Sequence, residues 1–275
     1  MQRARLFLFG LFAAVLVGAF FLWQQDAPIN NGKVTISEAV ANGLPNNKQS
    51  VLVSLKIKNE GPPQKVIGVS SVDAKHGMIH GVEPKVQAVL PADSSASLGN
   101  DGVHFMLMNV NGALEEGRLL TLKVMLDPAG EVVTKARYSS KPAGGHGLHQ
   151  MAGSGDDAQA DKMAGMFKVP TNEPQPSLAM RVTEDGDTGG WIVNVETANF
   201  QFSKELADAD HVGGKGHGHI YINGVKLGRL YEKTAAIGAL PKGNHVVRVT
   251  LNTNDHQTYM VAGERVTATA TITVD

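Results

Sequence analysis

The sequence predicts an all-β chain, two β-sandwich domains behind an N-terminal transmembrane helix. Three observations carry that expectation. Short runs alternating between apolar and polar residues recur along the chain, as half-buried strands do. A stretch from Ser139 to about Ser177 loses this period and splits the strands into two groups. An uncharged apolar run, Leu6 to Trp23, opens the chain behind Arg3 and Arg5.

At ~1.5 Å per residue that run spans roughly 27 Å, close to the hydrocarbon core of a bilayer. The two arginines favour a cytoplasmic N-terminus, which leaves the rest of the chain outside. The run ends Phe20-Phe21-Leu22-Trp23-Gln24-Gln25 without a small-x-small site, so residues 1–31 read as an uncleaved anchor, with a cleaved signal as the alternative. Either reading exports the protein, to a bacterial periplasm or outer surface.

Residues 32–138 form the first expected domain. Val51–Lys58 alternates as a strand and stops at Asn59-Glu60-Gly61-Pro62-Pro63. Leu119–Leu126 and Glu131–Tyr138 are further strands around the turn Asp127-Pro128-Ala129-Gly130. Residues 139–177, rich in Gly, Ala, Ser, Asp, Pro and Gln, read as a mobile linker that nevertheless carries His146, His149, Met151, Met163 and Met166. Residues 178–275 return to strands: Trp191–Thr197, His219–Ile222, Val225–Tyr231, Val246–Leu251 and Val266–Val274. Asn223-Gly224 is the hairpin turn between the second and third of these.

Composition limits the function. A net charge of −1 with 19% charged residues gives no reason to expect nucleic-acid binding. Cysteine is absent, which excludes disulfides, thiolate metal sites, blue-copper centres and cysteine nucleophiles. No nucleophile-elbow motif appears, and Gly213–Gly218 lacks the spacing of a phosphate loop. The expectation is a protein that is not an enzyme. The 10 His and 10 Met are unevenly placed: no His precedes His76, and every Met but the first lies at or after Met78.

Two runs carry the chemistry. His104-Phe105-Met106-Leu107-Met108 puts an imidazole and two thioethers at alternate strand positions, and His76-Gly77-Met78-Ile79-His80 repeats the pattern upstream. Alternate residues of a strand share a face. Mixed imidazole and thioether donors suit Cu(I) better than any other common metal ion.

The surroundings of these runs resemble the PCuAC family of periplasmic copper chaperones. The resembling segments are Val66–Ser71, Gly77-Met78-Ile79-His80, Leu90-Pro91-Ala92, Gly102–Met108 and Leu114-Glu115-Glu116-Gly117, within residues 35–138. The resemblance implies a cupredoxin-like sandwich that binds Cu(I) near its surface through two His and two Met. It carries over to His80, His104 and Met106. The family's remaining methionine has no counterpart, since Gly81–Val89 is shorter and lacks Met. Met78 is the best substitute, with His76 and Met108 next, although Met108 reads as core.

The linker residues His146, His149, Met151, Met163 and Met166 read either as a copper-collecting segment or as a solvated spacer. The second domain, expected to be Ig-like or cupredoxin-like, offers His217 and His219 on one strand face, a pattern that suits Cu(II) or Zn(II). His256 and His245 are candidate third ligands there, with His211 and Asp255 behind them and Met260 as the nearest thioether.

The leading expectation is an exported, membrane-anchored copper carrier. It would take Cu(I), with Cu(II) as an option on the second domain, and pass it to a copper-accepting membrane enzyme. Cytochrome oxidase is the target class the resemblance implies. The other classes are copper sequestration, a superoxide-scavenging metalloenzyme and a purely structural β protein.

Overall fold

A computed structural model describes residues 33–45, 47–141 and 165–275. The expected helix over 1–31, and His146, His149, Met151 and Met163, lie outside the described residues. Among the described residues there is no helix, and so none long and apolar enough to cross a membrane.

The first domain contains β1 (Val34–Leu44), β2 (Asn47–Asn59), β3 (Gln64–Ser70), β4 (Ala74–His80), β5 (Val89–Leu90), β6 (Ser94–Leu98), β7 (His104–Val110), β8 (Leu119–Asp127) and β9 (Gly130–Ser139). Hydrogen bonding runs β4–β7–β2–β1–β9–β8–β3–β5, with β6 sharing one side of β2 with β7. All pairs are antiparallel except β1 with β9. The folded-over sheet encloses one core. The alternation in β8 places Leu120, Leu122, Val124 and Leu126 inward. Each such side chain contributes ~1.5–3 kcal/mol by leaving water.

The second domain contains β10 (Met166–Lys168), β11 (Ser177–Asp185), β12 (Gly190–Ala198), β13 (Gln201–Phe202), β14 (Lys215–Ile222), β15 (Val225–Leu230), β16 (Thr234–Ile237), β17 (Gly243–Asn252), β18 (Thr258–Val261), β19 (Glu264–Arg265) and β20 (Thr267–Val274). The sheet β11–β12–β16 packs over the sheet holding β14, β15, β17 and β20. Asn223-Gly224 closes the β14–β15 hairpin with both residues at positive φ, as a tight primed turn requires.

The boundary of the linker shifts. Met166 belongs to β10, which pairs with Thr258–Met260 of β18 and places Phe167 against Tyr259. Three residues are too short for a period to show, so this strand is invisible within a Gly- and Ala-rich segment.

The two domains interlock. Val225 of the second domain sits in the first core, and Val89 of the first sits in the second core. Lys226 of β15 pairs with Ser97 of β6 across the junction. The Val103 amide donates to the Gly224 carbonyl at 2.9 Å, and Lys226 Nζ donates to Asp101 Oδ2 at 2.6 Å.

Candidate metal centres

Strands β4 and β7 bring the two His/Met runs side by side. Their register sets His80 opposite His104, Met78 opposite Met106, and His76 opposite Met108. Directly opposed residues have Cβ atoms ~4.5–5.5 Å apart, so each cross-strand pair can share one ion. Phe105 and Leu107 alternate inward and are fully buried in the core. The six His and Met therefore share the other face. Gly77 occupies an inward position of β4, where a Cβ would collide with the Val69 carbonyl. Only glycine lets β4 lie this close to β3.

Exposure falls along the patch. Met78 is 44% exposed, whereas His104 and Met106 are 8% and 7% exposed. His76 is exposed, and His80 and Met108 are half-buried. Met108 is half-buried and outside the buried core cluster, while its neighbour Leu107 turns into the core. The His80 and His104 rings stack with centroids 5.7 Å apart and planes inclined at 15°. His104 Nδ1 lies 3.0 Å from the Gly102 carbonyl and must donate to it, which directs the ring's lone pair to Nε2. His80 Nε2 is buried with no hydrogen-bond partner, a costly state unless an ion or water meets it. An orphaned imidazole nitrogen on a strand face shared with thioethers is a candidate metal ligand.

A second cluster lies in the other domain. His217 and His219 project from β14, and His256 from the loop before β18; one ring nitrogen of each falls within 4.8 Å of the others. His217 Nε2 and His219 Nε2 stand 2.9 Å apart. Burial pushes His217 down to about 3 and His219 well below the ordinary imidazole value, so both rings are neutral at physiological pH. His256 Nε2 donates to Asp208 Oδ1. That bond, followed by Arg229, holds the Asp208 carboxyl down to about 2.

His245 is not part of this cluster. Its Nε2 donates to the Pro241 carbonyl at 2.6 Å and its Nδ1 accepts from Asn223 Nδ2 at 3.1 Å, so both nitrogens are committed, one to the loop before β17 and one to the β14–β15 turn. His211 stands elsewhere, with its ring 4.0 Å from that of Phe167. Asp255 accepts from Thr253 and Gln257. Met260 is buried.

Three residues not singled out as site residues in the sequence stand beside candidate ligands: Asp208, which orients His256; Gly102, whose carbonyl orients His104; and Asp101, whose Oδ2 lies 3.9 Å from His219 Nδ1. The adjacency of Asp101 and Gly102 to His104 was visible, but not what their atoms reach.

The neutral buried histidines predict a pH dependence. Burial, against a hydrogen bond to Pro241, lowers His245 from its usual value. The unfolded chain titrates its histidines near ~6.5, so it binds more protons than the fold below that pH. The stability contributed by neutral His245 and His217 is complete above ~6.5 and is lost as pH falls below it. For His217 the loss continues down to about 3. Urea unfolding of the metal-free protein should show stability declining by at most ~1.4 kcal/mol per pH unit for each such histidine. His245→Gln should flatten the decline; an unchanged slope would remove His245 from this account.

Fold and sites together define a class: an all-β protein with a His/Met patch on the β4–β7 face and a separate imidazole cluster beside β14. Residues 34–137 match the model of the family described as "Putative lipoprotein LpqE-like". Similar solved structures include the apo PCuAC domain from PmoF1, 22% identical, with TM-score 0.38 and covering 42% of this chain and 100% of that one. The copper-bound PCuAC domain from PmoF2 is 20% identical, with TM-score 0.38, covering 42% of this chain and 99% of that one. The solution structure of CuI-DR1885 from Deinococcus radiodurans is 19% identical, with TM-score 0.33, covering 38% of this chain and 78% of that one. No curated protein matches the chain.

Proposed function

We propose that this protein is an exported, non-enzymatic copper carrier. It takes Cu(I) as cargo on the β4–β7 face and yields it to a copper-accepting membrane enzyme of the cytochrome oxidase type, with residues 1–31 as its tether. The observation that carries the reading is the register that opposes His80 to His104 and Met78 to Met106. Four donors in two adjacent cross-strand pairs supply the imidazole–thioether set that Cu(I) prefers. Thioethers need no deprotonation, so uptake is limited at low pH only by protonation of the imidazoles. Among the remaining candidates, His76 and Met108 form the next pair along the same face and can relay the ion.

The exposure of Met78 favours delivery over sequestration. A ligand at the rim can be displaced by an incoming donor while the buried His104 and Met106 still hold the ion. The decisive experiment is an anaerobic Cu(I) competition titration of the full-length chain. Met78→Leu should lower the affinity by roughly tenfold, near 1.4 kcal/mol, since one rim ligand is lost. Its melting temperature should stay unchanged, because an exposed side chain contributes little to the core. A Met78→Leu protein with unaltered affinity would assign the fourth ligand elsewhere.

A further inference from the structure

We propose that His217, His219 and His256 form a second metal site, one that takes a divalent ion of the Cu(II) class, separate from the Cu(I) patch. The inference goes beyond the carrier function proposed above and does not depend on it.

The site is built rather than incidental. His217 and His219 are 0% and 2% exposed, and no acidic side chain forms a hydrogen bond to either among the described residues. Two imidazoles confronting each other at 2.9 Å through Nε2 need a shared proton or a cation between them. Whichever ring donates that proton, His217 Nδ1 remains buried without a partner. Such a pair fails as a purely structural device, because a buried polar group left unpaired costs ~1–3 kcal/mol. His245 shows what a structural histidine looks like in this protein: both nitrogens bonded.

The surroundings are those of a ligand set. Asp208 accepts from His256 Nε2, the carboxylate–imidazole arrangement that fixes a ligand's tautomer and raises its basicity. On the other side, Tyr221 Oη stands 3.3 Å from His219 Nδ1 and orients that ring.

The identity of the ion follows from the donors. Three imidazoles favour Cu(II) or Zn(II) over Cu(I), and Cu(II) leads in the order of intrinsic affinity. Nitrogens ~2.0 Å from an ion stand ~2.8 Å apart when cis in a square plane and ~3.3 Å apart in a tetrahedron. The 2.9 Å between His217 Nε2 and His219 Nε2 is close enough for both to reach one ion, and is also the length of a hydrogen bond between the two rings.

The site also has an approach. A cavity of about 530 Å³ between the domains is lined by His219, His256, Asp101, Lys226, Arg229 and Asp255. Its three lining cations are already paired, Lys56 with Glu38 at 2.8 Å, Lys226 with Asp101 at 2.6 Å and Arg229 with Asp208 at 3.0 Å, so they do not leave an unbalanced positive field against an entering cation.

The test is an aerobic titration of the metal-free full-length chain with Cu(II), followed by electron paramagnetic resonance. One equivalent should bind with nitrogen hyperfine coupling. His104→Ala, which removes the first-domain site, should leave that signal intact. His217→Ala and the rim variant His256→Ala should each weaken binding by more than ~100-fold, and Asp208→Asn by ~10–100-fold. Melting of each apo variant shows whether the fold persists, and His256→Ala alone decides the matter if His217→Ala does not fold. Cu(II) binding that survives His256→Ala unchanged overturns the site. Full displacement of Cu(II) by equimolar Zn(II) overturns the choice of ion. A signal lost in His104→Ala but kept in His256→Ala would place Cu(II) on the first domain and refute the proposal while sparing the carrier function.

Discussion

His104→Ala is expected to abolish tight Cu(I) binding, with an affinity loss well beyond the ~10–100-fold that follows removal of an outer-shell partner. His104 is the most constrained member of the patch. It is nearly buried, its Nδ1 is tied to Gly102, and its ring stacks on His80. Losing it removes one donor and frees its cross-strand neighbour to change rotamer. The fold should survive, because His104 faces away from the core formed by Phe105 and Leu107. Anaerobic competition against a Cu(I) chelator, with circular dichroism as the check on folding, measures the effect. A variant that keeps parental affinity would refute a site centred on His104.

Gly224→Ala is expected to weaken Cu(I) binding by about tenfold, although Gly224 lies in the second domain and touches no ligand. Gly224 adopts φ +88°, and a Cβ there would collide with the Gly81 carbonyl, directly after His80. Its own carbonyl accepts from the Val103 amide, directly before His104. Alanine would therefore cost ~1–2 kcal/mol for the left-handed backbone and push apart the strand ends that carry both histidines. Gly263→Ala is the control: φ there is +87°, but nothing stands within 4 Å of the added Cβ. It should show the backbone cost as a melting temperature lower by a few degrees, with Cu(I) affinity untouched. Equal affinities for the two variants would mean that the domain junction does not position the site.

Much of the fold was legible because strand alternation is a local property. Val51–Lys58, Leu119–Leu126, Glu131–Tyr138 and the strands of the second domain alternate over enough residues for the period to show. β10 was missed because three residues carry no period. The sorting of Met106 from Leu107 followed from the same alternation, whereas Met108 carries no such signal, because the alternation breaks at Asn109 and methionine is equally at home inside and at a rim. His245 looked like a ligand because its sequence position says nothing of Asn223 and Pro241, which occupy its two nitrogens.

The sequence by itself determined that the protein is all-β, that it lacks cysteine chemistry, and that each His/Met run presents its donors on one strand face. These depend on residue type and on a repeat of two, which act within a few residues. Only the tertiary structure decided that β4 pairs with β7 in the register opposing His80 to His104 and Met78 to Met106. It alone brought Asp208 to His256, and Gly224 against Gly81. Pairing partners and domain contacts are chosen by the burial of whole surfaces, a property of the assembled chain that no local spacing encodes.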